Sequence, residues 1–61
     1  MTQDEEKKIR GLLMEINHLR KEVSHVLDTL TSSDVIQEVA LAKGKLASIG
    51  DDLYEFLEQN R

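Results

Sequence analysis

The side chains best suited to metal binding in this chain are two histidines. His18 and His25 are seven residues apart, which in a helix separates them by about 10.5 Å along the axis. Two helical ligands of one metal ion usually lie three or four residues apart. The spacing therefore predicts no metal site, and no other pattern in the chain predicts a bound cofactor.

Carboxylates are the second group that could do chemistry, and they are concentrated near the end of the chain. The acids there are Asp51, Asp52, Glu55 and Glu58. General acid–base catalysis needs a concave, partly desolvated pocket, which the surface of two helices does not provide. We therefore predict no catalytic residue and a protein that is not an enzyme. The acidic group is then either a solvated charged end or a docking surface for a basic partner.

The composition narrows the class of protein further. The chain has 61 residues, eight basic and twelve acidic, with a net charge of −4 and no cysteine or proline. This acidic balance disfavours binding to nucleic-acid backbones and anionic membranes, and no apolar run approaches the roughly 20 residues that span a bilayer. Because cysteine is absent, disulfides are excluded and a cytoplasmic location is expected.

Two apolar patterns position all of these side chains, and each follows a seven-residue repeat with steps of three and four. Such a repeat predicts an α-helix that packs along one seam, with apolar residues at heptad positions a and d. The a positions are Ile9, Ile16, Val23, Leu30, Val39, Leu46 and Leu53. The d positions are Leu12, Leu19, Val26, Val35, Ala42, Ile49 and Phe56.

A short break between the patterns predicts a helical hairpin. Thr2 with Glu5 has the spacing of a capping box, and residues 31–34 carry a second set of start signals. We predict helix 1 over about residues 3–30, a turn over about 31–33 and helix 2 over about 33–59, in a single domain 1–61. The a and d residues then pair across an antiparallel seam in seven layers. The rival is one continuous helix of about 55 residues, which ignores both start signals.

A two-helix chain of this size needs further contacts, because domains below about 70–80 residues rarely bury enough apolar surface alone. The g positions are polar, whereas the e positions and the b positions of helix 2 form a second apolar stripe. We predict that this stripe is a partner or dimer interface that joins two hairpins into a four-helix bundle. The alternatives are a monomer and a different protein partner on the same stripe. The predicted interface residues are Leu13, Arg20, Leu27, Ile36, Ala40, Lys43, Ala47, Gly50, Tyr54 and Leu57.

One face of helix 1 resembles that of a known family. Lys7, Arg10, Asn17 and Lys21 share this face, and Asp51-Asp52-Leu53-Tyr54 follows near the end. These features are similar to the small plasmid-encoded four-helix proteins that bind paired RNA loops. The resemblance implies an RNA-binding four-helix-bundle dimer.

A second resemblance covers helix 1 and the turn. Residues 15–22 (Glu-Ile-x-x-Leu-Arg-Lys-Glu) and 30–36 (Leu-Thr-Ser-x-x-Val-Ile) resemble the short sporulation-control aspartyl-phosphate phosphatases, which are also helical hairpins. That family carries Ser-Gln-x-Leu-Asp in its second helix. The nearest frame here is Lys43-Gly44-Lys45-Leu46-Ala47, which lacks the Ser, Gln and Asp. The resemblance implies a regulator of that type, and no catalytic residue is carried across.

The function predicted from the sequence is therefore regulation by protein–protein interaction. We expect an adaptor, inhibitor or co-chaperone that covers a partner's surface with an apolar face of helix 2. Arg20 and Lys43, which face each other in the e rows, would supply charge selectivity. The phosphatase-like regulator and the RNA-binding dimer are the alternatives.

Overall fold

The chain folds into two helices that pack against each other. The computed structural model describes residues 1–60, in which α1 spans Gln3–Thr29 and α2 spans Ser33–Gln59. The Cα atoms occupy a flat slab of 46 × 15 × 10 Å. The predicted all-α hairpin is confirmed, and the continuous helix is wrong. Position 61, the last of the predicted domain, lies outside the described residues.

The capping box predicted at the start of α1 is present. The amide of Glu5 donates to the Thr2 hydroxyl oxygen at 3.1 Å, and the amide of Thr2 donates to the Glu5 carboxylate at 2.9 Å. Donation from the Thr2 backbone and hydroxyl lowers the pKa of Glu5 below its ordinary value. The reciprocal bonds satisfy amides that have no partner inside the helix, which fixes where α1 begins.

The reversal between the helices takes three residues. Leu30 leaves the helix with extended backbone angles (φ −81°, ψ 144°), and Ser32 precedes α2 in a similar conformation. The Ser32 side chain makes no capping hydrogen bond, but its carbonyl accepts from the amide of Ile36 at 3.0 Å. A connection this short leaves the helices antiparallel and adjacent.

The helices face each other through positions a and e rather than through a and d. The e residues, like the a residues, are partly or fully covered, and Leu57 at e is only 1% exposed. The large d side chains are instead between 44% and 50% exposed, from Leu19 to Ile49. The predicted a/d seam is therefore wrong in its rotation: each helix turns by about 50° about its axis relative to that expectation.

The width of the apolar stripe on each helix allows this rotation, because the partly apolar e row continues the a and d rows. The d, a and e rows together form a stripe wider than one neighbouring helix can cover. At Gly50, in the e row, the backbone of α2 lies close to α1. A Cβ atom at Gly50 would lie 3.5 Å from Cγ2 of Ile16, which is itself buried. The hairpin thus covers a and e, and leaves d open.

Candidate functional site

The d residues of both helices form one exposed apolar surface, which we call the d ribbon. In an antiparallel pair that packs through a and e, the two d rows lie beside each other on the same side of the hairpin. The ribbon therefore runs along the full length of both helices. Its members are Leu12, Leu19, Val26, Val35, Ala42, Ile49 and Phe56, all of them exposed.

Charged residues of both signs border the d ribbon at the g positions. The row on α1 contains Lys8, Glu15 and Glu22, and the row on α2 contains Glu38, Lys45 and Asp52. At this edge Nε2 of His18 lies 3.0 Å from the Glu22 carboxylate. An apolar centre with a polar rim is the usual anatomy of a protein–protein interface.

Most of the residues predicted to form the partner interface lie between the two helices. Leu13, Arg20, Leu27, Ile36, Lys43 and Ala47 are partly covered there, and Gly50 and Leu57 are buried. Ala40 and Tyr54 are exposed. That these residues contact a partner stays a prediction. Those at position e already stabilise the hairpin, so the free apolar surface is the d ribbon. The signal for this surface was the d row itself, which is apolar at every position, whereas the e row also contains Arg20 and Lys43.

A basic groove lies on the opposite side of the hairpin from the d ribbon. It has a volume of about 420 Å³, and its lining residues are Asn17, Arg20, Lys21, Ser24 and Lys43. The Ser24 hydroxyl donates to the carbonyl of Arg20 at 3.1 Å. The groove therefore contains three cations in a chain whose net charge is negative.

The histidines and the acidic residues do not converge on a common centre. The His18 side chain pairs with Glu22, one turn away on the same helix. Among residues 1–60, no three histidine or acidic side chains are grouped so that they could hold a metal ion. Within the same residues, neither helix is apolar enough over a sufficient length to cross a membrane.

No protein family matches this chain, and neither a curated protein nor a solved structure gives a significant match. The two resemblances seen in the sequence therefore stay hypotheses.

Proposed function

We propose that this protein is a small regulator that acts by protein–protein interaction, and that two hairpins associate through their d ribbons into a four-helix bundle. The observation that carries the proposal is the exposure of a complete heptad row on both helices. Isolated apolar residues on a surface are ordinary, but a continuous apolar surface along a whole molecule marks an interaction site.

The heptad pattern fits a bundle of four helices better than it fits a bundle of two. In a four-helix bundle each helix has two neighbours and directs its a and d residues to a common centre. Here the a and e side of each helix is directed to the other helix of the same hairpin. The d and g side is then directed to a second hairpin. The d residues become core residues only in the dimer.

The d ribbon has the size and symmetry that a second copy requires. The slab measures 46 × 15 Å across its Cα atoms, so one broad side offers on the order of 700 Å² to a partner, close to the ~800 Å² per partner of a standard interface. A second copy presents a ribbon of the same length with the same seven-residue spacing. Such self-complementarity is what a twofold interface needs.

The charged rows make association dependent on ionic strength. Lys45 can meet acidic g residues of the second copy, whereas Lys8 is already paired with Asp4 at 3.2 Å. Each chain also carries a net charge of −4. Repulsion between two acidic chains weakens when salt screens it. We therefore expect dimerisation to strengthen between low and physiological salt.

Regulation follows if a target protein competes for the same ribbon. A target that presents an amphipathic helix would replace the second copy in the groove between the d rows. Binding of the target would then separate the homodimer, and the concentration of free hairpins would set the response. The cytoplasm remains the expected location.

Two matched substitutions on α1 test the proposal. Leu19→Glu places a charge in the d ribbon, whereas Met14→Glu places the same charge at an f position that is 73% exposed. We expect sedimentation equilibrium to give a monomer for Leu19→Glu and a dimer for Met14→Glu and the unmodified chain. A dimer that survives Leu19→Glu unchanged would contradict the interface.

The same variants test the regulatory part of the proposal. A protein target identified with the unmodified chain should also bind Met14→Glu and should fail to bind Leu19→Glu. Equal binding to all three chains would show that the target uses another surface.

A further inference from the structure

Like charges meet in the groove between the helices. Arg20 from α1 and Lys43 from α2 are both partly covered, and Lys21 lies beside them. Within residues 1–60, none of these three side chains forms an ion pair or a hydrogen bond. Cations that are held together without a counter-charge destabilise a fold. A negatively charged group between these cations would offset their repulsion.

Lys43 is the residue of α2 that lines this groove, and its neighbours in the helix are small. Ala40 and Ala47 lie one turn from Lys43 on either side, and Gly44 follows it. A Cβ atom at Gly44 would meet nothing within 4 Å. Glycine weakens an exposed helical position, so Gly44 does not serve the stability of α2. A ligand can therefore approach Lys43 closely from the open side.

We propose that this groove binds a small molecule carrying linked phosphate groups. Arginine and lysine side chains are the usual ligands of phosphate oxygens, and the Asn17 amide offers a further donor. The lining residues include no aromatic ring and no large apolar side chain. The groove therefore recognises the anionic part of its ligand, and a nucleotide base gains no stacking surface there.

A short polyanion fits this arrangement better than a nucleic-acid strand does. A strand needs a row of phosphate contacts beyond the groove. The next cation towards the start of α1 on this side, Arg10, is already paired with Glu6 at 2.9 Å. Lys7, in the row of Lys21, lies about 21 Å further along the helix axis, so the three cations of the groove form a separate cluster.

The groove and the d ribbon lie on opposite sides, so this proposal is independent of dimerisation. A bundle formed through the d ribbons leaves one groove open on each outer side. Failure of phosphate binding would leave the proposed function standing, and a monomeric chain could still bind the anion.

Calorimetric titration of the full chain with pyrophosphate, orthophosphate, acetate and ADP tests the groove at constant ionic strength. We expect one pyrophosphate per chain, with weaker binding of orthophosphate and none of acetate. ADP should bind no more tightly than pyrophosphate. Tighter binding of ADP, or equal effects of acetate and pyrophosphate, would overturn the assignment.

Two substitutions that keep the aliphatic stem but remove the charge locate the site. Lys43→Met should weaken pyrophosphate binding by about tenfold, the effect of one lost charge-assisted hydrogen bond. Lys7→Met removes a charge from the row that contains Lys21 but lies outside the groove, and it should leave binding unchanged. If single-stranded RNA bound more tightly than pyrophosphate, and both substitutions weakened that binding equally, the ligand would be a nucleic acid and the proposal would be wrong.

Thermal unfolding gives a readout that a merely structural lysine would not produce. At fixed protein concentration, pyrophosphate should raise the Tm of the unmodified chain progressively with its concentration. Lys43→Met should raise the Tm without anion, because it relieves the repulsion from Arg20, and should shift the pyrophosphate-dependent rise to about tenfold higher concentration. A lower Tm for Lys43→Met, together with no effect of pyrophosphate on the unmodified chain, would show that the cations only cover apolar surface.

Discussion

Shortening one side chain of the d ribbon should weaken the dimer by a predictable amount. Ile49 is 50% exposed in the hairpin, so about half of its apolar surface remains to be covered by a second copy. Ile49→Ala removes three carbon atoms, each worth about 0.8 kcal/mol on complete burial. Half of that sum is about 1.2 kcal/mol for each chain. Twofold symmetry doubles it to about 2.4 kcal/mol for the dimer, which corresponds to a Kd about 50-fold higher.

Leu41→Ala is the matched control for this prediction. Leu41 also loses three carbon atoms and is 58% exposed, but it occupies position c, outside the ribbon. The dimer Kd of both variants can be measured by calorimetric dilution or sedimentation velocity, with circular dichroism to compare their helix content. We expect Leu41→Ala to leave the Kd unchanged. Equal weakening by both substitutions, or no weakening by Ile49→Ala, would refute the assignment of the interface.

The remaining predictions concern the stability of the hairpin, measured as Tm at fixed protein concentration. Gly50→Ala should stabilise by up to about 1 kcal/mol, because its Cβ would make only an ordinary contact with Ile16 at 3.5 Å, whereas Gly50→Leu should lower the Tm by forcing the helices apart. Gly11→Ala should also stabilise by up to about 1 kcal/mol, since a Cβ there would meet nothing within 4 Å; a lower Tm would reveal a contact at this position. Thr2→Ala should cost about 1 kcal/mol through loss of the N-cap. The capping box lowers the pKa of Glu5 in the folded chain. The stabilisation from the Glu5 carboxylate is therefore fully present above the ordinary carboxyl pKa of 4.5. It is lost as the pH falls through the lower pKa that Glu5 has in the folded chain. The Tm difference between Glu5→Gln and the unmodified chain should therefore shrink in acid; a constant difference would contradict the role of the carboxylate.

The helices and their order could be predicted from the sequence because the signals for them are local. A three-and-four spacing is incompatible with a strand, and a capping box depends only on Thr2 and its near neighbours. The pairing of Leu30 with Val35 and of Ile9 with Phe56 sets the register along the helix axes. That pairing does not depend on how each helix is rotated about its own axis.

Rotation could not be predicted because two apolar rows compete for the same neighbour. Leu13 and Leu27 in the e row are as apolar as Leu12 and Leu19 in the d row, but the e row also contains charged residues, so periodicity alone favours d. The outcome depends on close packing at positions such as Gly50, which is a tertiary effect. The sequence did predict that Arg20 and Lys43 face each other, because both occupy position e. The groove that they share with Asn17, Lys21 and Ser24 follows from the rotation and therefore required the structure.

The most direct test of the central claim is the molar mass of the unmodified chain by sedimentation equilibrium, over a range of protein concentrations at physiological salt. The claim is that the d ribbon is covered by a second copy, and it predicts a mass of twice the 7.0 kDa of one chain at the higher concentrations, with dissociation on dilution. A helical chain with a mass of 7.0 kDa at every concentration would contradict it.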